Sequence, residues 1–158
     1  MFVATVRSGD RREQGTSKAP GFEKIDTATK MENGKLVIEI GDESFNFNGK
    51  SSPAWLGSAI YHESFHAKNH FNPNEKPIMR PDTTPDQAGK PKMSQEEIFQ
   101  EVEAYARELS AVGKLGLSSD EVQAVQRRQN QLKGMLTREN MEDVNQMISG
   151  RKDWPHMY

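Results

Sequence analysis

The sequence predicts a small α+β domain, mostly helical, with one β-hairpin ahead of its first helix. Three observations predict it. Lys35-Leu36-Val37-Ile38-Glu39-Ile40 is apolar and β-branched, and Ser44-Phe45-Asn46-Phe47-Asn48 alternates polar and aromatic residues. With the turn residues Gly41-Asp42-Glu43 between them, the two runs read as a hairpin, flanked by the turn signals Asn33-Gly34 and Asn48-Gly49. Second, helix-start signals open four later segments. Third, helical periodicity of apolar residues follows each start.

The first helix starts at Ser52-Pro53, with Ser as N-cap and Pro at the first helical position. Trp55, Leu56, Ala59, Ile60 and Phe65 supply its apolar surface, Trp55 as the core anchor, and it runs to about Asn69. Pro73, Pro77, Pro81, Pro85 and Pro91 then exclude any helix or central strand across residues 71–92. Ser94-Gln95-Glu96-Glu97 is a capping box, and Ile98, Val102, Tyr105, Leu109 and Val112 form the stripe of the second helix. Gly113 and Gly116 end it. Ser118-Ser119-Asp120-Glu121 caps a third helix carrying Val122, Val125 and Leu132 inward. Thr137 caps a fourth through Met141, Val144 and Ile148, and Gly150 stops it.

Composition narrows the classes. A chain of 158 residues is long enough for one domain with a core. Its apolar fraction of 34% and mean hydropathy of −0.86 imply a small core and long polar segments. The net charge of −2, with neither sign in blocks, gives no nucleic-acid footprint and no membrane-surface patch. No apolar run reaches about 18 residues, so no membrane insertion is expected. Residues 1–6 are too short an apolar start for a secretory signal. The absence of cysteine excludes disulfides and thiolate metal sites. The expected organisation is a poorly ordered lead-in over residues 1–34, a domain over 35–150 containing the Pro-rich loop 71–92, and a tail over 151–158.

One motif names a chemistry. Tyr61-His62-Glu63-Ser64-Phe65-His66 contains His-Glu-x-x-His. Residues four apart lie on one helix face, so His62 and His66 can bind one zinc ion, with Glu63 beside them to take a proton from a metal-bound water. A catalytic zinc takes three protein ligands plus water, so a third ligand lies elsewhere. His70 fails: a straight helix puts it about 80° around and about 12 Å along the axis from His62. A third histidine ten positions after the first would need Asn72 to be His and Asn69 to be Gly. The remaining solution is a Glu from a later helix, and Glu101-Val102-Glu103-Ala104-Tyr105-Ala106 offers Glu101 and Glu103. Each has Ala three residues on, and helical angle does not separate them.

His62-Glu63-x-x-His66 followed by a helix with Glu-x-x-Ala resembles the gluzincin branch of the zincin metallopeptidases. The resemblance covers about residues 35–112 on some ten motif positions. It implies a zincin-like fold, a Zn2+ cofactor and peptide-bond hydrolysis. In several such families the ligand stands first in a Glu-x-Glu-Ala string, which favours Glu101 and leaves Glu103 as the alternative. An acidic residue often follows the Ala in those families; here Tyr105 stands there, so the sequence departs from the pattern. Small, cysteine-free modules of this kind also resemble metallopeptidase toxin domains of bacterial polymorphic-toxin and secretion-system effectors. That implies delivery by a secretion system as part of a larger protein, a protein or peptide substrate, and an immunity or inhibitor protein as partner.

The expected mechanism uses His62, His66 and Glu101 as zinc ligands and Glu63 as general base. Tyr105, ahead of His70 and Tyr61, is the expected donor to the substrate oxyanion or to a ligand histidine. The hairpin edge near Phe45–Asn48 is expected to take extended peptide as an added strand, under the loop 71–92. The alternative class is a non-catalytic binding module with a structural metal or none. A structural zinc needs a closed fourth position, which no cysteine and no well-placed histidine supplies.

Overall fold

The computed structural model describes residues 5–8, 28–71 and 93–154. It is α+β, with a small sheet followed by helices. Strand β1 is Thr5–Ser8, β2 is Ala28–Glu32 and β3 is Lys35–Ile40. They form one sheet in the order β1-β3-β2, with β1 parallel and β2 antiparallel to β3. β3 is the central strand, and Leu36, Val37, Ile38 and Ile40 are buried.

The expected hairpin ahead of the first helix is present, but its strands pair differently. β3 pairs backward with β2, across Asn33-Gly34, rather than forward with residues 44–48. Asn33 and Gly34 sit at φ 50° and 73°. A two-residue hairpin turn that matches strand twist needs positive φ at both positions, and Asn-Gly tolerates this best. Gly41-Asp42-Glu43 closes no hairpin; a 3-10 turn over Asp42–Phe45 carries the chain off the sheet. A second, separate hairpin joins β4 (Asn46–Phe47) to β5 (Lys50–Ser51) across Asn48-Gly49, again with positive φ at both. Within the expected lead-in over residues 1–34, Thr5–Ser8 and Ala28–Glu32 are strands. Residues 9–27 lie outside the described residues.

Helix α1 spans Pro53–Phe71, with the Ser52 hydroxyl accepting from the Trp55 amide at 3.1 Å. The same hydroxyl donates to Glu121, tying the start of α1 to that of a later helix. α1 packs against β2 and β3 on one side and α2 (Gln95–Ser110) on the other. The Pro-rich loop falls in residues 72–92, outside the described residues. The expected capping box at Ser94 and Glu97 opens α2. α2 ends sooner than its apolar stripe, because a one-turn helix α3 (Val112–Leu115) follows and closes on Gly116 at φ 71°.

α4 (Ser119–Lys133) and α5 (Arg138–Ile148) carry the expected caps, Ser118 with Glu121 and Thr137. α2 is the centre of the core, with Ile98, Phe99 and Val102 fully buried among Val125, Leu132, Leu136, Val144 and Met147. Burying each such side chain contributes about 1.5–3 kcal/mol. Gln95 locks the start of α2 to the α4–α5 turn. It donates to the Met135 carbonyl at 3.1 Å, and its Oε1 accepts from the Thr137 amide at 2.9 Å and Asn140 Nδ2 at 3.0 Å. The Trp154 ring lies 5.8 Å from that of Phe99, so the tail docks on the core through residue 154. No helix among the described residues is long and apolar enough to cross a membrane.

Candidate metal centre

The site lies between α1 and α2. The four-residue spacing of His62 and His66 brings their rings to one face of α1, with centroids 5.0 Å apart. Glu101, in the second turn of α2, completes the group, and the three side chains can together hold a metal ion. His62 Nε2 lies 3.2 Å from Glu101 Oε2, His66 Nε2 lies 3.1 Å from Glu101 Oε1, and the two Nε2 atoms are 3.1 Å apart.

The orientation of His62 is set from behind. Its Nδ1 lies 3.2 Å from Glu108 Oε2. A carboxylate only accepts, so Nδ1 donates and Nε2 is left for the shared point. The other oxygen of Glu108 accepts from Ser58, one turn before His62 on α1. Glu108 is buried, so both its oxygens are satisfied where water is excluded. A carboxylate that orients a ligand histidine is the usual support behind a metal site.

Two imidazole nitrogens and a carboxylate face one another at little over 3 Å. Unprotonated, these are acceptors pointed at acceptors, which repel unless a proton or a cation lies between them. In the metal-free protein the proton does this. Burial alone would lower the His62 pKa, but the hydrogen bonds and charges of Glu101 and Glu108 outweigh it and raise it to about 9. Burial would likewise raise the Glu101 pKa, and the bonds to His62 and His66 hold it well below the carboxylate range instead.

The alternative ligand Glu103 is excluded. It lies about 200° around α2 from Glu101, so the two face opposite sides. Glu103 is fully buried and accepts from Arg107 at 3.0 Å, and the Arg107 guanidinium lies 4.9 Å from the centre of the Phe65 ring. Tyr105 lies beside His62, in the core. Its ring packs 4.3 Å from that of His62 within the core cluster, and its hydroxyl bonds to Arg128 of α4. Burial pushes its pKa up, against a smaller opposing pull from Arg128, so the phenol stays protonated. It buttresses the His62 ring, and its hydroxyl oxygen accepts from the Arg128 guanidinium, which can only donate. Tyr61 is 39% exposed and sits about 100° around α1 from His62, on the side away from Glu63. His70 is in the last turn of α1, and its side chain lies outside the described residues.

Glu63 is buried beneath β2, where Thr29 Oγ1 donates to its Oε2 at 2.7 Å. Sequence reasoning missed Thr29, Ser58 and Glu108. Glu108 left a legible signal: it follows Glu101 by seven residues, two turns along the same face of α2.

Fold and site together define an α+β domain with a two-histidine, one-glutamate group able to bind a metal ion. Comparison with models of known protein families, with curated proteins and with solved structures gives no match.

Two outcomes test this geometry. Glu101→Gln is expected to weaken metal binding at least about tenfold, by analogy with losses at ligand-supporting groups. Glu103→Gln is expected to lower stability by about 1–3 kcal/mol through its buried ion pair while leaving metal affinity unchanged. Equilibrium dialysis and denaturant unfolding of both variants separate the roles. The raised His62 pKa sets the second outcome. Below about pH 9 the metal-free protein carries an imidazolium there, whereas a ligand imidazole is neutral. Metal binding at neutral pH therefore expels about one proton from His62. Calorimetry in buffers of different ionisation enthalpy reads this release, which fades as pH passes about 9.

Proposed function

We propose that this chain is a zinc-dependent metallopeptidase of the gluzincin kind, with His62, His66 and Glu101 as ligands and Glu63 as general base. The observation that carries the reading is the convergence of two imidazole nitrogens, 3.1 Å apart, on the Glu101 carboxylate, each lying 3.1–3.2 Å from one of its two oxygens. Ligands at about 2.0–2.1 Å on a tetrahedral zinc lie about 3.3–3.4 Å from one another, close to these separations. The donor set also fits: two imidazole nitrogens and one carboxylate are a catalytic-type set that leaves a position for water or substrate. Zinc, when bound, supplies a Lewis acid that acidifies water toward neutral pH and polarises a carbonyl.

The chain supplies the rest. Glu108 holds His62 in the tautomer that turns Nε2 to the metal. Glu63 takes the proton of the attacking water and returns it to the leaving amine. β2 is one of the two edge strands of the sheet among the described residues, and Thr29 on it touches Glu63. That edge can take an extended peptide as an added strand beside the base. This replaces the edge near Phe45–Asn48, where Phe45 belongs to a 3-10 turn and β4 has only two residues. The sequence resemblance to toxin domains supports a bacterial effector, restrained by an inhibitor protein, as the setting.

Glu63→Ala is expected to keep one zinc per chain and to lose at least about 100-fold in peptide hydrolysis, the usual contribution of a positioned base. His62→Ala should lose both. Metal analysis with casein and peptide-library cleavage makes the check. A zinc-loaded wild type that cleaves nothing, or a Glu63→Ala variant that cleaves at the wild-type rate, contradicts the reading.

A further inference from the structure

The general base is held from outside its own helix. Thr29 Oγ1 lies 2.7 Å from Glu63 Oε2 and 3.1 Å from the Glu63 carbonyl oxygen. A hydroxyl has one proton to give. The shorter contact, to a charged acceptor, is the stronger of the two. Among the described residues, the hydrogen bonding to this carboxylate falls on Oε2. Oε1 is then the oxygen left for the reacting water.

The path by which Thr29 reaches Glu63 runs through the sheet register. Thr29 stands opposite Ile38 of β3, on the face of the sheet that carries Leu36 and Ile40. α1 covers β2 and β3. The Asn33-Gly34 turn pins this register, and a slip of one residue would put Thr29 on the opposite face. A β-branched side chain is also stiff at χ1, so the hydroxyl is aimed at little entropic cost. A lysine in the same place would also hold the carboxylate, but its positive charge would suppress the basicity that proton abstraction needs.

We propose that Thr29 is the positioning residue for Glu63, fixing the carboxylate through Oε2 so that Oε1 is the proton-accepting oxygen. This rests on the reading of Glu63 as general base. Oε1 takes one proton of the water as the water oxygen bonds to the peptide carbonyl carbon. It then gives that proton to the amide nitrogen as the carbon–nitrogen bond breaks. The two products are a carboxylic acid and an amine, so the atoms balance. Thr29 neither gains nor loses its proton, and it touches no substrate atom. Because Thr29 belongs to the edge strand beside the base, a peptide adding to β2 would meet the strand that aims Glu63.

The test uses the full chain, zinc-loaded, with Thr29→Val and Thr29→Ser. Valine keeps the branched shape and removes the hydroxyl; serine keeps the hydroxyl. On a peptide that the wild type cleaves, Thr29→Val should lower kcat about 10- to 100-fold, part of the about 10²- to 10⁴-fold that a positioned base supplies. KM and zinc content should stay at wild-type values, and Thr29→Ser should recover most of the loss. A second readout does not depend on activity. Thr29→Val should lower Tm by about 2–8 °C in the wild-type background. In the Glu63→Ala background the loss should be clearly smaller, because the carboxylate is gone and only the backbone carbonyl of residue 63, at 3.1 Å, is left to accept. Wild-type kcat in Thr29→Val, no recovery in Thr29→Ser, or additive Tm losses in the cycle overturn the role of Thr29 alone. A wild type that hydrolyses no peptide overturns the reading of the site, and this role with it.

Discussion

One imidazole held between two carboxylates organises this molecule. Glu101 and Glu108 stand two turns apart on α2, and His62 of α1 meets Glu101 through Nε2 and Glu108 through Nδ1. The ring is 5% exposed, so water contributes little to its solvation. A buried ionic arrangement of this kind is costly unless every charge is answered. It therefore demands a cation at the shared point, a proton in the metal-free chain or a metal ion in its place. The same demand fixes how α1 lies on α2, because Ser58, His62 and His66 must all meet partners on the facing helix.

The rest of the fold makes that apposition possible. Ala104 is 1% exposed and lies on the same side of α2 as Glu101 and Glu108. A small side chain there lets the helices approach closely. α2 is itself held rigid from its far side by the packed core with α4 and α5 and by the bonds of Gln95. Tyr105 couples the two halves, with its ring on His62 and its hydroxyl on Arg128. The sheet performs a different task. It covers the other side of α1 and presents Thr29 to Glu63, so His62 and Glu63 face different neighbours from one helix.

The helical half of this arrangement was legible in the sequence because its signals are local. Capping at Ser94, Ser118 and Thr137 and the four-residue spacing of His62 and His66 need only neighbouring residues to be read. Glu101 and Glu103 both have Ala three residues on, so only the Glu-x-Glu-Ala order of the resemblance favoured Glu101, and the packing of α2 on α1 separates the two. Glu108 is harder to read, because the resemblance places the supporting acid immediately after Ala104. A residue seven positions after Glu101 returns almost in line with it, about 20° off, whereas one four positions on lies about 40° off. The sheet was the least legible part. Ala28-Thr29-Lys30-Met31-Glu32 has little apolar pattern, since an edge strand buries one face at most, and it follows a long polar stretch. Asn33-Gly34 is legible as a turn, but the residues before it carry too little apolar pattern to mark the strand that pairs with Lys35–Ile40.

Anomalous diffraction at the zinc edge, from crystals of the zinc-loaded chain, tests the central claim most directly. The account predicts one strong peak within about 2.0–2.2 Å of His62 Nε2, His66 Nε2 and a Glu101 oxygen, with no fourth protein ligand. It also predicts that the Glu108 contact to His62 Nδ1 is retained. A peak elsewhere on the chain, or an ion closed off by a fourth side chain, would contradict it.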